Sequence, residues 1–366
     1  MTKWNIGWGI TSKCNMNCAF CYSKNNRTKS IDLKLNDWIN FIDDNNKYIN
    51  SINYGTGENT LLDDWFTFIG YVREKYPDIR QSLTTNGHLS LSVKNELNFE
   101  IFKKAIDEVD VSLDFANKEK HNEFRGQPLA YKWAIDTLKL CFELKKQCTI
   151  VFLGSEVNVS HDNLDSLFGI AKEYNAILRM NIFRPTEGLN EKSLKFILSR
   201  DKLLDIIYYI DSNYSILSIG DAYLSPYLLK TTRNDPSGNK SLRILSNGDI
   251  TPSTYLINDE YILGNIKEDS ILESISKSGK LLSIVKNIIP DECEKCIYKD
   301  MCQGGVLDRR YLWYGSLNKK DPYCHGPYFK ENEKLVHLSN EKFSSVHDDY
   351  LPTIFFSPKN NSFSDY

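Results

Sequence analysis

The stretch TSKCNMNCAFCYSK, Thr11 to Lys24, places three cysteines, Cys14, Cys18 and Cys21, within eight residues. A closed structural metal site takes four protein ligands, so three thiolates at this spacing suit a metal centre with one coordination position left free. Half of a zinc site completed from elsewhere, a redox dithiol and disulfide cysteines are the other readings. The cluster follows a short apolar run, KWNIGWGI at 3–10, and so falls in a loop after a predicted strand.

The chain of 366 residues is 41% apolar, enough to fill one large domain or a barrel with a smaller companion. A formal charge of −3 and a pI near 6.1 give no basic field to hold a phosphate backbone, which argues against nucleic acid as a partner. No run of about 18 apolar residues is present, and MTKWNIGWGI lacks the length and apolar core of a signal peptide. The expectation is a cytoplasmic protein with no membrane partner. Seven of the nine cysteines fall in two clusters, which in a reducing compartment favours metal binding over disulfides. Cys141 and Cys148 stand apart at the end of a predicted helix and read as small buried hydrophobes.

Six short apolar runs set the rhythm of the first half: KWNIGWGI, YINSINYG, IRQSLTTNG, VDVSLDF, CTIVFLG and AILRMNIF. Longer amphipathic segments alternate with them. In LNDWINFIDDNN, for example, Leu35, Trp38, Ile39 and Ile42 share one face at helical spacing. Strand–helix alternation predicts parallel strands with crossover helices, in an α/β partial (β/α)6 barrel of TIM type whose loops after the strands carry chemistry. The expected division is a core at 1–190, a helical connection at 191–239, a small second domain at 240–330 that holds the second cysteine cluster and a tail at 331–366.

On these residues, the region from 4 to about 185 resembles the radical S-adenosylmethionine (SAM) enzymes. The spacing of Cys14, Cys18 and Cys21, with Phe20 before the last, is that superfamily's signature, and the resemblance implies a [4Fe–4S] cluster whose fourth iron is left for SAM. YGTGENTL is similar to the family's glycine-rich motif, with Gly55, Gly57 and Glu58 at matching positions and Thr56 and Asn59 as departures. By that likeness the glycines let the backbone approach the methionine ammonium of SAM, and Glu58 accepts its hydrogen bond. Asn86 in LTTNGHL becomes the candidate near the ribose. In VSLDFANKEKHNEFRG, Ser112, Asp114, His121, Arg125 and Gly126 match a further pattern, which implies that Ser112 and Arg125 contact the methionine carboxylate or ribose. A helix-capping Asp114 and a surface ion pair of Arg125 are the plain alternative.

The second cluster holds Cys293, Cys296, Cys302 and Cys324. Its spacing suits a four-thiolate zinc site, and it also resembles the SPASM domain that follows the barrel in many radical SAM enzymes and carries auxiliary [4Fe–4S] clusters. Gly248, Pro252, Gly264 and Asn265 keep that domain's pattern, while Ser253, Asp269 and Val306 stand where its inner-cluster cysteines belong. The resemblance therefore implies one auxiliary cluster, the outer one, acting as a staple or an electron relay. It further implies an enzyme that cleaves SAM reductively to a 5′-deoxyadenosyl radical, takes electrons from a flavodoxin- or ferredoxin-type donor and abstracts a hydrogen atom from its substrate. A ribosomally made peptide is the expected substrate, with a small amino-acid- or sugar-derived metabolite as runner-up and a non-catalytic iron–sulfur scaffold or sensor as the alternative class. Because the first strand begins near Trp4, leader-peptide recognition is expected to fall to another protein, to the barrel mouth or to the tail after Gly326. That tail carries one apolar core, YLPTIFF, which reads as a packed strand or a closing flap.

Overall fold

The computed structural model describes residues 3–24, 31–228, 235–325, 334–348 and 350–358. Each of the six apolar runs forms a strand: β1 (Trp4–Trp8), β2 (Ile49–Tyr54), β3 (Arg80–Thr85), β4 (Glu108–Ser112), β5 (Gln147–Gly154) and β6 (Ile177–Ile182). They pair in chain order and in parallel. A parallel pair needs a crossover, and helices such as Leu35–Asn45 and Asp63–Lys75 supply it while covering the outer face. That cover explains why β1 is buried at all five positions, with the Trp8 ring edge-on to Phe41 and Phe68 at 5.5 and 5.3 Å. The α/β, TIM-type parallel sheet is the architecture expected from the alternation. Cys141 and Cys148 are buried free thiols, also as expected.

The sheet runs past the boundaries drawn from sequence. The stretch 191–239, expected to be helical, contains the helix Arg200–Asn213 and also a strand, β7 (Ser215–Ile219). From the region expected to form a separate domain, β8 (Ser241–Ile244) pairs in parallel with β1, and β9 (Asp249–Thr251) and β10 (Gly264–Asn265) extend it antiparallel. A wholly buried β1 left as an edge would leave backbone groups unpaired, and β8 removes that edge.

The apolar core of the tail is a strand, β11 (Ile354–Ser357), lying antiparallel between β6 and β7 and completing the order β10-β9-β8-β1-β2-β3-β4-β5-β6-β11-β7. Its Ile354, Phe355 and Phe356 are fully buried. The tail's polar end, 359–366, lies outside the described residues. Before β11 the chain crosses the N-terminal end of the barrel, where Ser345 Oγ and Val346 N each donate to Glu108 Oε2 at 3.0 Å and Ser218 Oγ donates to Asp348 Oδ1 at 2.5 Å. Tyr350 then fills the barrel interior: a Cβ at Gly7 would lie 1.8 Å from its hydroxyl oxygen, so a side chain at position 7 would displace the tail. Among the described residues no helix is long and apolar enough to cross a membrane.

Glu108 ties the tail's anchorage to pH. Burial pushes its carboxyl from an ordinary 4.5 up to about 7, against the pull of Arg80. A carboxyl raised on folding contributes stability below its unfolded value and loses it as pH rises through its folded one. From this group the folding free energy should therefore fall by at most about 3 kcal/mol between about pH 5 and pH 8. Urea unfolding at both pH values should show that Glu108→Gln removes this part of the slope.

Candidate active site

A cavity partly open to solvent lies at the C-terminal ends of the parallel strands, where the loops of such barrels carry chemistry. Cys14, Cys18 and Cys21 share its wall with Phe20. Among the described residues no three His, Cys, Asp or Glu side chains close on one point as a single metal ion requires. Burial pushes the Cys18 thiol up to about 11, against the pull of Arg125. Metal binding, which displaces the proton, is what makes a thiolate at such a place. Asn86 Nδ2 donates to Cys14 Sγ at 3.7 Å and to Asn15 Oδ1 at 2.7 Å, and Cys21 Sγ lies 3.4 Å from Ser23 Oγ. The donor set, three sulfurs on one wall with a polar amide beside them, fits an iron–sulfur group.

The glycine-rich turn after β2 braces the cysteine loop. Glu58 N donates to Lys13 O at 2.8 Å. A Cβ on Gly57, whose φ is +63°, would lie 2.4 Å from that oxygen and 2.5 Å from Thr11 O, so the contact requires glycine. Thr56 has a φ of +88°, a conformation that glycine adopts freely and a β-branched residue does not. Its hydroxyl lies 2.8 Å from the Tyr22 hydroxyl and accepts from Arg243, which holds it there.

Gly55, Gly57, Asn86, Ser112 and Arg125 line the cavity, and Glu58 does not. The Glu58 carboxylate is fully buried and already accepts from Thr60 Oγ1 at 2.6 Å, Thr85 Oγ1 at 2.9 Å and Asn86 N at 2.7 Å. In this arrangement it fastens the loop after β3 to the loop after β2. Arg125, the last residue of the helix Lys118–Arg125, reaches Asp114 Oδ2 with Nε at 2.6 Å and stands 5.1 Å above the Phe20 ring. The pair is buried, not a surface ion pair, and Asp114 also accepts Leu153 N at 2.8 Å. His121 Nδ1 accepts Asp114 N–H at 3.1 Å, and burial pushes the imidazole down to about 4, so it is neutral when it orders that turn.

Sequence reasoning missed a second set of lining residues: Arg179, Arg184, Arg243, Tyr255, His347 and Tyr350. An arginine inside the otherwise apolar run AILRMNIF was the one available signal. Arg179 Nη1 donates to Asp110 Oδ2 at 3.1 Å, and His347 Nδ1 lies 2.5 Å from the same oxygen. Burial opposes charge on Asp110, but Arg179 and His347 together hold it down at about 2, while burial keeps His347 near 4 and hence neutral.

The second cysteine group surrounds a buried ionic knot. Cys293 ends the turn Asp291–Cys293, Cys302 ends the helix Lys299–Cys302, and Cys324 N donates to Asp321 O at 2.9 Å. Burial pushes the Cys293 thiol up to about 11, helped by Cys324 and Cys296, and pushes Cys302 up as well. Asp321 accepts Val306 N at 3.0 Å and Arg309 Nη2 at 2.6 Å, and Arg309 Nη1 also reaches Asp221 at 2.7 Å. Where inner-cluster cysteines were missing, other contacts fill the space. Ser253 Oγ donates to Asp308 Oδ2 at 3.3 Å, Asp308 Oδ1 accepts Arg184 Nε at 2.6 Å, Val306 is buried, and Asp269 pairs with Lys277.

A parallel α/β barrel with three thiols beside a glycine-rich turn at its mouth is the arrangement that the resemblance to radical SAM enzymes implies. Residues 8–167 match the family described as the Radical SAM superfamily. The chain is 27% identical over 355 residues to the antilisterial bacteriocin subtilosin biosynthesis protein AlbA of Bacillus subtilis (strain 168), covering 90% of this chain and 72% of that protein. It is 24% identical over 364 residues to the Fe-coproporphyrin III synthase of Methanosarcina barkeri (strain Fusaro / DSM 804), covering 87% of each. Among solved structures, Streptococcus suis SuiB bound to precursor peptide SuiA shares the fold with a TM-score of 0.69 at 17% identity, over 88% of this chain and 76% of that one. Residues 8–167 thus carry a radical SAM domain, and the likeness to AlbA and SuiB supports a radical SAM enzyme of the SPASM type.

The brace at Gly57 generates a direct test. Gly57→Ala should push the turn off the cysteine loop, so that the reconstituted protein loses at least half its iron and binds SAM about tenfold more weakly. Iron analysis and equilibrium dialysis on one sample measure both.

Proposed function

We propose that this enzyme modifies a ribosomally made peptide, and that Cys14, Cys18 and Cys21 hold the [4Fe–4S] cluster that binds SAM. The observation that carries the cofactor reading is the placing of those three thiols in one cavity with Gly55, Gly57, Ser112 and Arg125. When bound, the cluster and SAM supply a 5′-deoxyadenosyl radical that removes a hydrogen atom from an unactivated carbon. The chain's residues do the rest. Gly55 and Gly57 leave the backbone open to the methionine ammonium, Ser112 and Arg125 take its carboxylate or the ribose, and Asp114 fixes the guanidinium in place. Asn86, bonded to Cys14 Sγ, tunes the cluster's electron density through its N–H, and Phe20 keeps water from the sulfurs. Electrons come from a flavodoxin- or ferredoxin-type donor, and a cytoplasmic location fits that supply.

The peptide substrate is supported by likeness to AlbA, whose name assigns it to bacteriocin biosynthesis, and to SuiB, seen with its precursor peptide. Cys293, Cys296, Cys302 and Cys324 would hold one auxiliary [4Fe–4S] cluster. The buried pairing of Ser253, Asp308 and Arg184 supports the reading that no inner cluster forms. The core at 1–190 and the auxiliary region at 240–330 are then functional units built on one continuous sheet.

Anaerobic reconstitution should yield about eight irons per chain, and changing Cys14, Cys18 and Cys21 together to alanine should remove about half. Four irons with one zinc would overturn the auxiliary assignment. Cys296→Ala should lower the thermal midpoint by on the order of 10 °C, while deoxyadenosine release per folded molecule persists. A well-folded Cys296→Ala protein that makes no product would overturn the staple role in favour of a relay.

A further inference from the structure

Four arginines, Arg125, Arg179, Arg184 and Arg243, line the cavity, and among the described lining residues there is no aspartate or glutamate. Three of them are matched from behind: Arg125 by Asp114 at 2.6 Å, Arg179 by Asp110 at 3.1 Å and Arg184 by Asp308 at 2.6 Å. Arg243 is 1% exposed and has no carboxylate partner among the described residues. Its Nη2 donates to Gly55 O at 2.7 Å and to Thr56 Oγ1. Burial works against its charge, and the groups that work for it are the hydroxyls of Tyr350, Tyr22 and Tyr255. Arg243 Nε, Arg184 Nη2 and Arg179 Nε are all buried with no hydrogen-bond partner among the described residues, and of the three only Arg243 has no carboxylate paired elsewhere on its guanidinium.

A guanidinium withdrawn from water is costly unless an anion and good acceptors replace its hydration, and neutral oxygens replace only part of it. Arg184 and Arg243 are linked along one wall by aromatic side chains, whereas Arg179 lies over the Phe355 ring. Arg184 lies 4.8 Å over the Tyr255 ring, Tyr255 meets Tyr22 edge-on at 5.3 Å, and the Tyr22 hydroxyl lies 2.8 Å from Thr56 Oγ1, the partner of Arg243. Ser112, at the end of β4, stands four strands away from β8, which carries Arg243.

We propose that Arg243, with Arg184 beside it, is the anchor for a carboxylate carried by the substrate, separate from the SAM carboxylate taken by Ser112 and Arg125. The fork of a guanidinium suits a carboxylate, and the wall between the two arginines is aromatic, so an acidic group next to an apolar one fits best. The proposal rests on the reading of this cavity as the joint site of SAM and substrate, and it is independent of whether the substrate is a peptide.

The test uses the cluster-loaded enzyme under anaerobic conditions. SAM is titrated first, which reads the SAM site on its own. Benzoate and its neutral isostere benzamide are then titrated calorimetrically at matched ionic strength, with and without saturating SAM. With SAM bound, benzoate should bind about tenfold tighter than benzamide, and Arg243→Gln should remove that preference. Arg243→Lys, which keeps the charge and loses the fork, should lower the preference without abolishing it, and this arm decides if Arg243→Gln does not fold. Equal binding of the two probes to the wild type would overturn the proposal, as would an undiminished preference in the variant that folds. A benzoate preference seen only without SAM would also overturn it, because Arg243 would then belong to the SAM carboxylate.

Discussion

The cavity's architecture depends on one buried carboxylate. Glu58 draws together Thr60, Thr85 and the backbone N–H of Asn86, while its own N–H is bonded to Lys13 O. Three segments, the cysteine loop, the turn after β2 and the end of β3 with the residue that follows it, are thereby fixed to one another. Burial raises the Glu58 carboxyl while these donors pull it back down, so its ionised form is held by hydrogen bonds alone. Glu58 itself is not among the residues that line the cavity; its partner Thr85 and the neighbouring Asn86 are. Positioning of this kind is what a cluster site asks of a protein, because thiols that line a cavity wall must be kept in place before any metal arrives.

Charge accounting is the second theme. The interior carries arginines at 179, 184, 243 and 309, all at most 4% exposed, and a buried cation is tolerable only where a counter-charge and hydrogen bonds are close. Asp110, Asp308 and the pair Asp221–Asp321 provide this for three of them. The Arg184–Asp308 pair joins the segment after β6 to the helix Leu307–Tyr314. Among the described residues Arg243 has no carboxylate at ion-pair distance, as is also true of the buried Arg310, and of these two it is Arg243 that lines the cavity of the three cysteines.

The tail converts a distant segment into part of the barrel. Glu108 captures Ser345 and Val346, Asp110 meets His347, Tyr350 settles on Gly7, and β11 slots between β6 and β7. In one pass, a stretch near the end of the chain lines the cavity floor and supplies a strand. Such contacts span more than two hundred residues of sequence, as Val346 to Glu108 does with a separation of 238, and they form only once the barrel that receives them exists.

Local rules determined a good part of this protein. The alternation of apolar runs with amphipathic segments specified all six parallel strands and their crossovers, because side-chain period and crossover length are properties of contiguous residues. Cysteine spacing located the cavity for the same reason, as the thiols that line it sit on one short loop. Tertiary structure alone decided what those rules do not reach. The strand β7 in the stretch expected to be helical, the joining of β8 to β1 and the insertion of β11 all depend on which edge is left unpaired after the core has closed. Whether Glu58 faces the cavity or its neighbours, and which arginines receive an aspartate, depends on atoms brought together from across the chain. Sequence carries the identity of those side chains, and their surroundings exist only after folding.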